Sequence, residues 1–178
     1  MEVFPEITPK ITKFIADQHM FFVATRAPAP DGHINLSPKG LDTFRVLDAH
    51  TVAYLDYVGS GNETAAHLLA DGRITIMFCA FDGAANIARL FGRGEAVQPD
   101  DPDFAELRSH FGPQKRLRQI MRITVDEAQT SCGYGVPYMT YDRERTTLDK
   151  WTDGQTDAEY AAYQVENNTL SKDGLPTK

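Results

Sequence analysis

Cysteine is scarce in this chain: Cys79 and Cys132 are the only two in 178 residues. No CxxC pair occurs, so neither a zinc ribbon nor a dithiol redox motif is encoded. A chain of this length builds a core without disulfide staples, and both thiols are expected to be reduced, Cys79 inside a buried strand. Long apolar runs are missing as well. None approaches the roughly 18 residues that a membrane-spanning helix needs, so no span is expected. The opening Met-Glu-Val-Phe-Pro-Glu has no basic region followed by a hydrophobic run. No secretory signal is therefore expected, and the chain is expected to be cytoplasmic. Positive charge is also in short supply, with 18 Lys+Arg against 25 Asp+Glu and a net charge of −7. Nucleic-acid binding rests on Lys/Arg neutralising phosphates, so that class of partner is not expected. One small anion beside a local basic group is still permitted.

The familiar catalytic signatures are absent too: there is no GxxxxGK[ST] loop, no HExxH, no GxGxxG between strand and helix, and no GxSxG elbow. Histidines stand at 19, 33, 50, 67 and 110 without metal-ligand spacing. Composition is otherwise that of a globular domain, 42% apolar and 24% charged. We expect one domain over residues 1–170, with 171–178 as a flexible polar tail.

What is present is a succession of short extended segments. Thr8-Pro9 reads as an N-cap with proline at the first helical position, opening an amphipathic helix through Ile11, Phe14 and Ile15. Strands are expected at 21–26, 33–37, 44–46, 51–57, 73–81, 86–97 and 123–125. Gly92 and Gly94 hint at a bulge or a close backbone approach. Short helices are expected at 62–70, closed by Gly72, from Asp101-Pro102 to Gly112, and from Pro113 through Leu117, Ile120 and Met121. Thr156-x-x-Glu159 is a capping box for a final helix to about 168. About six strands with only short helices between them do not suit an alternating βαβ sheet. A mainly β (α+β) fold, a small antiparallel barrel with short surrounding helices, fits better.

The most informative stretch is 33–67. Ser37-Pro38-Lys39-Gly40 is a turn, and Gly59-Ser60-Gly61-Asn62 leads into a helix. The unpaired N–H groups of a helix start, with the positive end of its dipole, favour an anion. Lys39 adds charge, and Ser37, Ser60, Asn62 and Thr64 add polar side chains. Glu63 opposes an anion here by about 1 kcal/mol, the scale of exposed charges in water. Arg89 interrupts an apolar strand. It either faces water or forks onto a phosphate from a cleft wall, and Arg93 shares that ambiguity. Trp151, the single tryptophan, either closes the core or covers an aromatic ligand.

The ordered set Phe22-Val-Ala-Thr-Arg26, Asp31-Gly-His-Ile-Asn-Leu-Ser-Pro-Lys-Gly40, Val52-Ala-Tyr-Leu-Asp-Tyr57, Gly59-Ser-Gly-Asn-Glu-Thr64 and Ala88-Arg-Leu-Phe-Gly-Arg-Gly-Glu-Ala96 resembles the pyridoxamine 5′-phosphate oxidase-like family of FMN-binding split barrels. Residues 10–97 carry the resemblance. Ser131-Cys-Gly-Tyr-Gly-Val-Pro137 and Trp151 resemble one subgroup of small flavoproteins within it. The resemblance implies a six-stranded antiparallel split β-barrel, a homodimer, and FMN at the subunit interface. Ser37 and Lys39 would lie beside the flavin or its phosphate. Tyr57, Ser60, Asn62 and Thr64 would surround the phosphate, and Arg89 would reach it from the next strand. Glu63 departs from a position often basic in the family, and His67 from one often carrying an amide. The family's arginine signature after a tryptophan is missing beyond Trp151, which argues against true pyridoxamine phosphate oxidation.

The reading is an FMN-dependent oxidoreductase of unassigned substrate, working on a small molecule with NADH or NADPH as candidate donor. No side chain is assigned an acid or base role, since the flavin carries the chemistry. Cys132 and Tyr134 are the side chains placed nearest the ring if the 131–137 loop packs there. Alternatives on the same barrel are deazaflavin F420 or haem as the cofactor, or a non-catalytic flavin-binding or flavin-sensing module.

Overall fold

A computed structural model describes residues 1–113 and 116–178. Its centre is one antiparallel sheet curved into a split barrel. The elements run β1 (Glu2–Phe4), α1 (Pro9–Ala16), β2 (Phe21–Arg26), β3 (Ile34–Lys39), β4 (Phe44–Val46), β5 (Thr51–Asp56), α2 (Glu63–Ala70), β6 (Arg73–Cys79), β7 (Ile87–Val97), α3 (Phe104–Ser109), β8 (Gln119–Ser131), α4 (Thr147–Asp153) and α5 (Asp157–Asn168). The strands lie in the order β3-β2-β6-β7-β8-β5-β4, with β1 added on β8. The mainly β class is as expected. The strand count is eight among the described residues rather than six.

Local signals explain most elements. The Thr8 hydroxyl accepts the Ile11 N–H and caps α1, whose Ile11 and Ile15 turn into the core. Gly72 has φ of +83°, so a side chain there would be strained, and it ends α2 as expected. In β7 the register shifts between Phe91 and Gly92. A side-chain carbon at Gly92 would run into the Thr124 carbonyl oxygen, which is the close approach its glycine permits. Thr156 and Glu159 complete the capping box of α5.

The largest departure is β8. Only 123–125 was expected as strand, yet β8 has 13 residues and pairs with β7, β5 and β1. Ile120 and Met121, expected in a helix after Pro113, are buried in β8 instead. Of the rest of that expected helix, residues 116–118 form no helix, and Gln114 and Lys115 lie outside the described residues. The C-terminal residues, expected as a free tail, make defined contacts: Leu170 bridges Pro176, and Thr177 Oγ1 donates to the Asn168 carbonyl at 2.7 Å.

The main core packs Phe21, Val23, Tyr54, Ile76, Phe78, Leu90, Ile123 and their neighbours inside the sheet. A second cluster joins Ala53, Leu55, Val97 and Ile120 to Leu107 of α3 and to Phe111 just beyond it. Among the described residues no helix is long and apolar enough to cross a membrane.

Candidate functional site

Edge strand β3 carries the first part of the site. Asn35, Ser37 and Lys39 stand opposite Thr25, Val23 and Phe21 of β2. All three of those β2 residues are buried. Directly opposed residues share a face, so the three polar side chains of β3 point to the interior side. There they meet the end of β5 and the start of α2. The resulting polar pocket, about 280 Å³, is lined by Asn35, Ser37, Lys39, Asp56, Tyr57, Gly59, Ser60, Gly61, Asn62, Glu63, Thr64 and Arg118.

Six of the seven residues singled out from the sequence therefore come together: Ser37, Lys39, Tyr57, Ser60, Asn62 and Thr64. Arg89 does not join them. It sits on β7 opposite Met77 and Gln129, and its Nη1 donates to the Ser131 hydroxyl at 3.1 Å. Tyr57 supplies wall rather than a donor. Its ring packs on the second core cluster, and burial pushes its hydroxyl up to about 12, while the oxygen has no hydrogen-bond partner among the described residues.

The electrostatic centre is a residue that sequence reasoning passed over. Asp56 is 2% exposed. It accepts from Lys39 Nζ (3.1 Å), from Arg118 Nε and Nη2 (3.1 and 2.7 Å), and from Gln119 Nε2 (2.8 Å). Burial alone would raise its pKa. The charges of Lys39 and Arg118 and the hydrogen bonds from Gln119 and Arg118 outweigh that and hold the carboxyl below its usual range. The available signal was an acidic residue closing the apolar run Val-Ala-Tyr-Leu, where a buried charge must be paired.

Arg118 is committed. Besides Asp56, its Nη1 donates to the Gly61 carbonyl at 2.9 Å and to Asn168 Oδ1 at 2.8 Å. Lys39 makes one hydrogen bond of the three an ammonium can donate. It is thus the cation with spare donors in the pocket.

The opening turn of α2 is unoccupied by its own cap. Asn62 makes no side-chain capping bond. Its Oδ1 accepts from Gln119 Nε2 (2.8 Å) and its Nδ2 donates to the Asn168 carbonyl (3.3 Å). The first N–H groups of α2 consequently lack a capping side chain. Among the described residues the Ser37 and Ser60 hydroxyls make no hydrogen bond. The Thr64 hydroxyl oxygen accepts from Asn35 Nδ2 at 3.2 Å, which leaves its proton to donate. Glu63, the least fitting residue, lines the same pocket, and its Oε1 accepts the Lys172 N–H at 2.8 Å. His67 is buried, with Nδ1 3.0 Å from the Thr25 hydroxyl.

A second, larger and mainly apolar groove of about 830 Å³ opens alongside and shares Lys39 and Gly59 with the polar pocket. Met20, Leu41, Phe81, Leu148, Trp151 and Tyr163 line it. Trp151 stacks edge-on against Tyr163, with ring centroids 5.0 Å apart. At the groove's margin His19 and Tyr141 stack face to face at 3.7 Å. Cys132 and Tyr134 are exposed and not among the lining residues. One cation with spare donors, free hydroxyls and open helix amides can hold an anionic group. The adjoining aromatic groove can hold a flat apolar body.

Comparison with known proteins gives the family and the fold. A family model described as pyridoxamine 5′-phosphate oxidase matches residues 7–132. The pyridoxamine 5′-phosphate oxidase family protein ustO of Aspergillus flavus is 37% identical, the alignment covering 99% of this chain and 78% of that protein. Among solved structures, HupZ of Group A Streptococcus superposes with a TM-score of 0.56 at 20% identity, over 75% of this chain and 99% of the other. A candidate pyridoxamine 5′-phosphate oxidase of Lactobacillus delbrueckii gives 0.56 at 14% identity, over 72% and 99%. The two structural likenesses concern the fold alone.

Proposed function

The chain belongs to the pyridoxamine 5′-phosphate oxidase family, and from that premise we propose that it is a cytoplasmic, homodimeric, FMN-dependent oxidoreductase acting on a small molecule. The observation that carries this reading is the junction at Lys39 and Gly59 of a polar pocket with an aromatic groove. FMN has that bipartite form, a phosphate at one end and a flat ring system at the other. The residues present fit it: Lys39, Ser37, Ser60, Thr64 and the first amides of α2 would hold the phosphate, and the Trp151-lined groove would receive the ring.

Bound FMN supplies hydride or electron transfer between a reductant and an acceptor. The chain's own residues bind, orient and shield. Asp56 holds Lys39 in place through the 3.1 Å contact, so the phosphate meets a preorganised donor rather than a mobile side chain. Trp151, Leu41 and Leu148 keep water from the groove wall. No side chain is given an acid or base role.

Edge strand β3 supports the homodimer. Its outward positions Ile34 and Leu36 are apolar and 77% and 65% exposed, while its inward positions are polar. This is the reverse of an ordinary edge strand, whose outer face is polar. Phe22, Met77 and Arg89 share the outward face. Arg89 would then approach a flavin only across the interface between two copies.

The test is direct. Purified protein incubated with FMN should retain a flavin spectrum through gel filtration, and riboflavin, which lacks the phosphate, should be retained far less. Protein that takes up neither overturns the proposal. Anaerobic reduction with NADH and with NADPH then identifies the donor.

A further inference from the structure

The loop at the polar pocket, Gly59-Ser60-Gly61, is not held by packing. A carbon added at Gly59 would meet nothing within 4 Å, and one at Gly61 would meet only Glu63 Oε1 at 3.8 Å. Two glycines in three residues make such a loop intrinsically loose. Its order must come from hydrogen bonds, and these converge on one side chain. Asn168, the last residue of α5, is 5% exposed. Its Nδ2 donates to the Gly59 carbonyl at 2.9 Å. Its Oδ1 accepts from Arg118 Nη1 at 2.8 Å, and the same Nη1 donates to the Gly61 carbonyl. Its own carbonyl accepts from Asn62 Nδ2 and from the Thr177 hydroxyl.

Asn168 thus touches the loop at Gly59 and Asn62, and steadies the arginine that holds Gly61. It lies outside the 7–132 segment matched by the family model. The residues after it reinforce the arrangement, since Lys172 N–H engages Glu63 and Asp173 accepts from the His33 N–H at 2.8 Å.

We propose that Asn168 is a positioning residue: it clamps the Gly59–Asn62 loop, and the C-terminal segment is thereby a structural part of the anion site. The clamp itself is independent of the ligand, whereas its effect on FMN rests on the function proposed above. Asn168 touches no cofactor. It acts by fixing where the Ser60 hydroxyl and the first amides of α2 point, so its loss converts a preorganised site into one that must be ordered on binding.

The experiment uses the full-length protein, Asn168→Ala, and the near-isosteric Asn168→Asp, which keeps the acceptor for Arg118 but replaces the donor to Gly59 by a carboxylate oxygen and adds a negative charge. Two quantities are measured: ¹⁵N order parameters of the loop, and FMN affinity by fluorescence titration. In Asn168→Ala, the order parameters of Gly59, Ser60 and Gly61 should fall from about 0.85 towards 0.6, while β7 and β8 stay rigid. FMN affinity should drop about tenfold, the loss of roughly one buried hydrogen bond. Asn168→Asp should show the same loosening at Gly59, and serves alone if the alanine variant does not fold. A loop that stays ordered in the variants overturns the clamp. A loosened loop with unchanged FMN affinity overturns the positioning role. A wild-type protein that takes up no FMN, with a loop that still loosens in the variants, refutes the proposed cofactor and supports the clamp.

Discussion

Lys39 Nζ lies 3.1 Å from Oδ1 of Asp56, joining the end of edge strand β3 to the end of β5 across the polar pocket. The lysine is partly exposed and the aspartate is not. Asp56 has further partners in Arg118 and Gln119, whereas Lys39 has no other among the described residues. The pair is therefore asymmetric: the aspartate depends on several cationic and amide donors, and the lysine retains donors for a ligand.

Lys39→Met should separate these roles. Loss of a charge-assisted bond to phosphate should weaken FMN by about 1.5–3 kcal/mol, read by fluorescence titration. Riboflavin affinity should hardly change, because riboflavin has no phosphate to lose contact with. The melting temperature should fall only slightly, since Asp56 keeps Arg118 and a partly exposed pair contributes about 1 kcal/mol or less. Equal losses for both flavins would place the phosphate elsewhere.

Asp56 makes the stability of the fold sensitive to acid. Its folded pKa is depressed, so its contribution is fully present above the unfolded value, near 3.9, and is lost as pH falls through the folded value. Urea midpoints should hold steady down to about pH 4 and fall steeply below it. Asp56→Asn should leave Arg118 with an uncompensated buried charge and cost about 3–5 kcal/mol at neutral pH. That variant should also show a shallower acid limb. An unchanged acid limb would mean that other carboxylates govern it.

The local parts of this architecture were readable because each rests on neighbours in sequence. Thr8-Pro9, Gly72 and Thr156-x-x-Glu159 act within one turn, and each performs its expected role. The 33–67 stretch gathered six of its side chains in one pocket, although Ser37, Pro38 and Lys39, read as part of a turn, continue strand β3. What escaped depended on long-range pairing. The ends of β8 look helical or irregular in isolation, and become strand because β7 and β5 flank them. Arg118 and Asn168 lie 62 and 112 positions beyond Asp56, so no spacing rule links them. Arg89 stands apart from those six for the opposite reason: alternation shows that it leaves the apolar row, but not which side of the sheet faces the pocket.

Gly92→Ala tests the packing that shapes the barrel. The added carbon meets backbone of β8, the Thr124 carbonyl, rather than a side chain that could swing aside. The β7–β8 pairing must open at the bulge or the variant must strain. We expect a loss of about 2–4 kcal/mol, seen as a clear drop in melting temperature. Gly59→Ala, at a glycine with nothing within 4 Å, provides the control and should cost far less. Equal losses at the two positions would show that backbone freedom, not the close approach to Thr124, governs position 92.

The outward face of β3 yields the last expectation. Ile34 and Leu36 expose apolar surface on an edge strand, and Arg89 stands on the same side of the sheet three strands further in. In a homodimer formed through this face, Leu36→Glu would bury a carboxylate without a partner and should give a monomer by light scattering. Because Leu36 points away from the core, the monomer should keep its far-UV spectrum and melt within a few degrees of wild type. If the flavin site is completed across the interface, the same variant should lose FMN affinity although it touches no residue of the polar pocket. Arg89→Ala should then weaken FMN in the dimer without dissociating it. A Leu36→Glu protein that remains dimeric would move the interface to another surface, and Arg89 would lose its route to the flavin with it.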